Sequence, residues 1–229
     1  MEILYYSDII YLISFLITLI AQIFVSSSYS RYKKILNSKD NTGYDTARKI
    51  LDKNNLENVM ILETKGNLTD HYDPKRKVIK LSTDIYHGSS IASAAVAAHE
   101  CGHAIQDKNK YIPMRIRSAI VPFVNICTRL GYLAILIGLI FNRAPLLEAG
   151  IILLLAMLVF QLITLPVEFN ASKRALNELE KEKILDKEEK GNARNMLVAA
   201  AFTYVASVLS TLLQIFRLVL ISSSSDRRR

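Results

Sequence analysis

The part of the sequence best suited to chemistry is the run from His99 to His103, which reads His-Glu-Cys-Gly-His. In an α-helix, residues four positions apart lie on one face, about a turn from each other, so both imidazoles can reach one metal ion. Two imidazoles at this spacing are typical zinc ligands, and Glu100 can take a proton from a water that zinc has made acidic. The run therefore predicts one Zn²⁺ per chain with Glu100 as general base. The alternative is a polar helix face that carries two histidines.

A catalytic zinc ion usually has three protein ligands and one open position, so a further ligand must come from elsewhere. The candidates are His71 and Glu168. We favour Glu168 because two apolar segments separate it from His103, so a chain that crosses a membrane twice returns to the side of the histidines. The alternative is that Glu168 is an acidic residue in the first turn of a helix over 168–185, where the helix dipole favours it. Cys101 is not expected to be a ligand, since it points about 200° away from His99 around the helix.

Four apolar segments must be accommodated: 9–25, 119–141, 146–166 and 196–221. The first three are about as long as a bilayer core requires. The first follows acidic and not basic residues and has no convincing cleavage site, so we interpret it as a retained anchor and not as a signal peptide. The second and third are joined by a short link and predict an antiparallel hairpin. The fourth contains Gln214 and Arg217, and it either spans the membrane or lies partly in its interface.

The charge distribution indicates which side of the membrane the polar segments occupy. The net charge is +8, and of the 29 Lys and Arg, 16 lie in residues 31–118 and 7 in residues 167–195. By the positive-inside rule both segments face the cytoplasm, although the Arg227–Arg229 tail argues the other way if the fourth segment spans. We attribute the basic balance to an anionic membrane surface and not to nucleic acid. The two cysteines fit a reducing compartment.

The polar segment before the histidine run predicts a small α+β subdomain. Its elements are a helix over 44–54, strands over 59–62 and 78–81, and a helix over 91–108 capped by Ser89 or Ser90. Val78–Leu81 is either an edge strand that pairs with an extended peptide substrate or an internal strand of a hairpin.

The predicted fold class is mainly α: a multi-pass membrane helical protein with a small α+β zincin-like catalytic subdomain. The expected segments are an N-terminal anchor (1–30), a cytoplasmic subdomain with the zinc-binding helix (31–118), a transmembrane hairpin (119–166), a cytoplasmic helix with the third ligand (167–195) and a fourth membrane segment with a basic tail (196–229).

Three separated stretches resemble a known family. They are His99–Gln106 (His-Glu-Cys-Gly-His-Ala-Ile-Gln), Asp70–Pro74 and Leu165–Ser172. In this order and spacing they look like the YugP-type neutral zinc metallopeptidases, and the resemblance covers most of the chain. It implies a zincin embedded in a bacterial cell membrane, with a glutamate as third ligand. Those roles fall on His99, His103 and Glu168 as ligands and on Glu100 as base.

A more distant similarity links the chain to the heat-shock and CAAX-processing membrane metalloproteases. Their third-ligand motif is Glu-x-x-Ala-Asp, whereas Glu168 is followed by Ala171 and Ser172. In those relatives the Asp orients a histidine ligand. We expect Ser172 or Asn170 to take its place beside the metal ligands.

These observations predict a membrane-embedded zinc endopeptidase whose partners are a peptide or membrane-protein substrate and the lipid bilayer, with no nucleic acid. His71 could contact the substrate, or it is a solvated turn residue; Tyr204 could stabilise the oxyanion, or it only packs. One alternative function is a non-catalytic metal-binding membrane scaffold, which is disfavoured because structural zinc sites are usually closed by four ligands. The other is an enzyme that processes lipidated peptides, for which four apolar segments are few.

Overall fold

The computed structural model describes residues 2–226 and the side chains of residues 5–223, so the predicted Arg227–Arg229 tail lies outside the described residues. The described part is mostly helical. Its elements, in chain order, are α1 (Glu2–Tyr32), α2 (Gly43–Lys53), β1 (Met60–Thr64), β2 (His71–Asp73), β3 (Val78–Ser82), α3 (Thr83–His87), α4 (Ile91–Lys108), α5 (Ile112–Ile140), α6 (Ala144–Lys181) and α7 (Lys187–Asp226).

The chain divides into two compact units. The apolar unit comprises Met1–Gln22, Ile116–Leu165 and Thr203–Arg229, and the polar unit comprises Ile23–Arg115 and Pro166–Phe202. All four long helices, α1, α5, α6 and α7, contribute residues to both units.

Four helices are long and apolar enough to cross a membrane: Tyr5–Tyr32, Ile112–Ile140, Ala144–Lys181 and Lys187–Ser223. Each of them contains an 18-residue apolar stretch with at most two charged residues. Side chains such as Ile13, Leu136 and Ile152 are exposed on their surfaces, as lipid-facing residues are. The chain is therefore a membrane protein of mainly α class with a small α+β part, as predicted, and the fourth apolar segment qualifies as a span.

Small residues allow α5 and α6 to pack closely within the apolar unit. A Cβ atom on Gly150 would lie 2.5 Å from Ile135 Cγ1 and 2.9 Å from the Gly131 carbonyl oxygen, so the two backbones nearly touch. The link is short, and the Arg143 amide donates to the Gly138 carbonyl at 2.8 Å. Helices α5 and α6 therefore pack side by side across this link.

Polar side chains join α1 to α7 in the same unit. The hydroxyl oxygens of Ser14 and Ser210 are 2.8 Å apart, and the Gln214 amide donates to Ser210 at 3.3 Å. Gln214, which weakened the sequence prediction for this segment, thus has a partner inside the helix pair, where hydrogen bonds between helices replace water.

The polar unit contains a three-stranded sheet in the order β1-β3-β2, with β1 parallel and β2 antiparallel to β3. The interpretation of Val78–Leu81 as an edge strand is wrong, because β3 pairs on both sides. Its Val78, Ile79 and Leu81 side chains are all buried, as is typical of a central strand. The short elements β2 and α3 were not predicted.

The helices of the polar unit agree closely with the prediction. The helix predicted over 44–54 is α2, and the one over 91–108 is α4. Ser90 caps α4, since its hydroxyl oxygen accepts a hydrogen bond from the Ser93 amide at 3.0 Å. The alanine-rich face of α4 packs into the core formed with α2 and β3.

Helix α6 corrects the prediction for Glu168. A helix beginning near this residue was expected after Pro166, but α6 is continuous from Ala144 to Lys181 with Pro166 in its interior. Proline often marks a helix start, yet interior prolines are tolerated in membrane helices, where neighbouring groups satisfy the freed carbonyl. Glu168 therefore lies in the interior of α6 and not in the first turn of a helix. The helix dipole does not explain why an acidic residue stands at this position.

Candidate metal centre

Two helices of the polar unit bring three potential metal ligands together. Helix α4 presents His99 and His103 one turn apart, and α6 presents Glu168 opposite them. Glu168 Oε2 lies 3.3 Å from His99 Nε2 and 3.5 Å from His103 Nε2. One ligand atom from each of the three side chains lies within 4.8 Å of the other two. The residues that the sequence proposed as ligands therefore converge on one point.

The close approach of α4 and α6 depends on Gly102. A Cβ atom at this position would lie 2.5 Å from the Ala171 carbonyl oxygen, which is too close for any side chain. Ala98, Val167 and Ala171 are fully buried around the contact. The small residue between the two histidines thus lets the helix with the carboxylate come within reach of both imidazoles.

Glu100 is held beside this cluster without belonging to it. It is only 7% exposed, and it follows His99 directly along α4. Among the described residues, its carboxylate takes part in no hydrogen bond or ion pair. A buried carboxylate that is not used as a ligand is suited to accept a proton.

The histidines have further partners on the side away from Glu168. Ser172 Oγ lies 3.2 Å from His99 Nδ1, so Ser172 occupies the place expected for it. Gln106 Oε1 lies 3.0 Å from His103 Nδ1. The contact of Gln106 was not predicted, although its position three residues after His103 on the same helix face was a signal for it.

Asn170 contacts the centre only through Gln106. Its side-chain oxygen accepts hydrogen bonds from Gln106 Nε2 at 3.0 Å and from Arg174 Nε at 2.7 Å. Of the two residues expected to replace the missing Asp, Ser172 therefore reaches a histidine directly, and Asn170 reaches one through an intervening amide.

The electrostatics of the centre favour positive charge. Burial disfavours the imidazolium form of His103, but its hydrogen bond to Glu168 and the nearby Glu100 and Glu168 carboxylates raise its pKa above the ordinary value. The same negative surroundings would favour a metal cation in place of that proton. In contrast, burial raises the pKa of the Cys101 thiol well above its usual value, and its sulfur faces the Ala47 carbonyl. Cys101 therefore packs in the core of the polar unit and is not placed to bind a metal.

The other predicted residues lie elsewhere. His71 is exposed on β2, with Nδ1 2.8 Å from the Thr69 carbonyl oxygen, and it is not one of the three grouped ligands. Its contact with substrate stays a prediction. Tyr204 belongs to the apolar unit, and its role at an oxyanion also stays a prediction.

The donor set fits zinc. Two imidazole nitrogens and one carboxylate oxygen form a common set for catalytic zinc, and three protein ligands leave a coordination position for water or substrate. His103 and Glu168 are buried, and the His99 side chain is 16% exposed. The cluster is therefore shielded, and His99 is its most exposed member.

Comparison with known proteins agrees with this chemistry. A family model described as "Putative neutral zinc metallopeptidase" matches residues 7–223, a span that contains the whole candidate centre. A relative from Bacillus subtilis (strain 168), named "Putative membrane protease YugP", is 43% identical over 201 residues, which make up 88% of this chain and 89% of that protein. No solved structure matches the chain.

Proposed function

Because this chain belongs to the family described as "Putative neutral zinc metallopeptidase", we propose that it is a membrane zinc endopeptidase with one Zn²⁺ per chain. His99, His103 and Glu168 hold the metal, and Glu100 is the general base. The observation that carries the proposal is the convergence of the three ligand atoms within 4.8 Å, with a separate buried carboxylate beside them.

The residues divide the reaction between them. When bound, zinc supplies a Lewis acid that polarises a peptide carbonyl and lowers the pKa of water towards neutrality. Glu100 accepts the proton of the attacking water and returns it to the nitrogen of the departing amine. His99, His103 and Glu168 fix the position of this chemistry relative to Glu100.

The proposed substrate is a peptide or a membrane protein that the enzyme meets beside the bilayer, without a nucleic-acid partner. The chain has four apolar helices; Arg31 lies in the last turn of the first, and Lys33 and Lys34 follow it. By the positive-inside rule, these charges support a cytoplasmic position for the polar unit. We therefore propose that cleavage occurs on the cytoplasmic side of a bacterial cell membrane.

Metal content and cleavage in detergent-purified protein test the proposal together. Zinc is measured by elemental analysis in the wild type, Glu100→Gln, His103→Ala and Glu168→Ala, and cleavage is followed by mass spectrometry on a mixture of unstructured peptides. We expect near-stoichiometric zinc in the wild type and in Glu100→Gln, and loss of zinc in the two ligand variants. Glu100→Gln should lose at least ~10²-fold in cleavage rate, since a general base contributes about that much or more.

Glu57→Gln is the matched control, because it makes the same change on an exposed residue between α2 and β1. It should behave like the wild type. A wild type that holds zinc tightly and cleaves no peptide would favour a non-catalytic metal-binding scaffold. Unchanged proteolysis in Glu100→Gln would rule out the proposed base.

A further inference from the structure

Gln106 is a fully buried polar side chain of α4 for which the proposed reaction has no direct use. It lies three residues after His103, and its side-chain amide makes contacts with His103, Val167 and Asn170. Buried amides are costly unless their hydrogen-bonding groups are satisfied, so such a residue is a strong constraint on its surroundings.

The contacts fix which end of the amide faces which partner. The Val167 carbonyl oxygen can only accept, and it lies 2.8 Å from Gln106 Nε2. The amide nitrogen must therefore point towards α6. The carboxamide oxygen is left facing His103 Nδ1 at 3.0 Å.

A second line of contacts leads to the same orientation. Arg174 can only donate, and its Nε lies 2.7 Å from the Asn170 side-chain atom assigned as oxygen. That oxygen also accepts from Gln106 Nε2 at 3.0 Å. Reversing the Gln106 amide would place oxygen against oxygen at both Val167 and Asn170.

This orientation determines the tautomer of His103. Because Gln106 offers an acceptor, His103 Nδ1 must carry the proton that it donates. When a cation lies between Nε2 and Glu168 in place of a proton, the proton on Nδ1 leaves Nε2 with the free lone pair, and Nε2 is the atom that faces Glu168 at 3.5 Å. The ring is prepared to bind a metal through the nitrogen that points into the centre.

We propose that Gln106 is a positioning residue that selects the metal-binding tautomer and ring orientation of His103, and that Val167 and Asn170 hold its amide in the required direction. His99 has no equivalent constraint, since the Ser172 hydroxyl near its Nδ1 can either donate or accept. The inference rests on the proposed zinc site and adds a residue that contacts neither metal nor substrate.

The test measures zinc affinity, by competition with a chromophoric chelator, in the detergent-solubilised full chain at one fixed pH. Gln106→Met has nearly the same shape as glutamine but offers His103 no strong acceptor. We expect its zinc dissociation constant to rise about 10- to 100-fold, as is typical when a residue that orients a ligand is lost. Gln106→Glu keeps an acceptor for Nδ1 but sets an oxygen against the Val167 carbonyl, and we expect its dissociation constant to rise clearly less than that of Gln106→Met.

The contrast between the two variants separates positioning from simple packing. A purely structural role for the amide predicts equal losses in both, because both lose the hydrogen bond to the Val167 carbonyl. Ile105→Val is the control, since it removes one methylene from the neighbouring core residue without touching a histidine, and it should bind zinc like the wild type.

Each outcome of this test either supports or overturns the role proposed for Gln106. A wild type without zinc would overturn both the proposed function and this inference. If the wild type binds zinc, two results would overturn this inference alone. One is an unchanged zinc affinity in Gln106→Met, and the other is an equal loss of affinity in Gln106→Met and Gln106→Glu. If Gln106→Met does not fold, Gln106→Glu decides: retained affinity supports the role of the acceptor, and lost affinity overturns it.

Discussion

At the scale of single residues, the two histidines differ in how firmly their outer nitrogens are held. His103 faces a carboxamide whose direction is fixed, whereas His99 faces the hydroxyl of Ser172 at 3.2 Å. A hydroxyl is a weaker and less directional partner than a carboxylate, because it can rotate between donating and accepting. Position 172 is therefore the place where the centre can be tuned.

Two different substitutions of Ser172 should change the zinc affinity in opposite directions. Ser172→Ala removes the partner of His99 Nδ1 and should weaken binding several-fold, up to about 10-fold. Ser172→Asp supplies an acceptor-only carboxylate and should strengthen binding about two- to tenfold. Chelator competition gives both values, and Lys173→Ala, a change at the exposed neighbouring residue, should leave them unaltered. Weaker binding in Ser172→Asp would show that the site has no room for the larger group.

At the scale of elements, the centre exists because α4 and α6 approach closely at one residue. The helix pair is packed around Gly102, where a Cβ atom would overlap the Ala171 carbonyl oxygen. Any side chain there must push α6 outwards. Since Glu168 lies one turn from Ala171 on α6, this displacement moves the carboxylate away from both histidines.

Gly102→Ala should therefore lose zinc binding by at least about 10-fold and lower stability by roughly 1–3 kcal/mol, the usual cost of overpacking. Elemental analysis and thermal unfolding measure the two effects. Gly191→Ala is the matched control, since a Cβ atom on Gly191 in α7 would meet nothing within 4 Å. It should keep zinc and gain up to about 1 kcal/mol from helix propensity. Full zinc binding in Gly102→Ala would contradict the role assigned to this contact.

The elements differ in how well the sequence predicted them. The boundaries of α4 were predicted because Ser90 is a good cap and Ala-rich sequence favours helix. The three-residue strand β2 is too short to show alternation. The sequence left two alternatives open for its neighbour β3, because an isolated apolar run does not reveal how many strands flank it. Helix α6 was divided at Pro166 because local signals do not distinguish a helix start from an interior proline.

The candidate centre was more predictable than the sheet around it. The spacing of His99 and His103 is set by the helix period alone, so two ligands follow from the sequence. Glu168 was found through the return of the chain after two apolar segments. The contact of Gln106 with His103 could not be ranked above other polar neighbours, because the direction of a side-chain amide depends on partners such as Val167 that only tertiary structure supplies.

At the scale of the whole molecule, the four apolar helices and the basic segments predict a definite orientation. The turn at Asn67 in the polar unit should lie in the cytoplasm, and Arg143 in the link between α5 and α6 should lie outside. Both positions are exposed, and the native Cys101 and Cys127 are buried, so introduced thiols can be labelled over a low background.

Labelling with a membrane-impermeant maleimide tests this orientation. Arg143→Cys should react in intact cells, and Asn67→Cys should react only after the cells are opened. The unsubstituted chain is the control and should remain unlabelled in both conditions, since neither native thiol is accessible. The reverse pattern would place the polar unit, and the proposed reaction, on the outer side.

The separation of the ligands along the chain has a consequence for biogenesis. His99 and Glu168 are 69 positions apart, and a hydrophobic hairpin is synthesised between them. A nascent chain that ends before α6 offers zinc two imidazoles without the Glu168 carboxylate. In the proposed enzyme, tight metal capture therefore waits until the hairpin has been translated and inserted. A half-made polypeptide therefore lacks the complete set of proposed ligands, so the proposed activity would begin only after insertion.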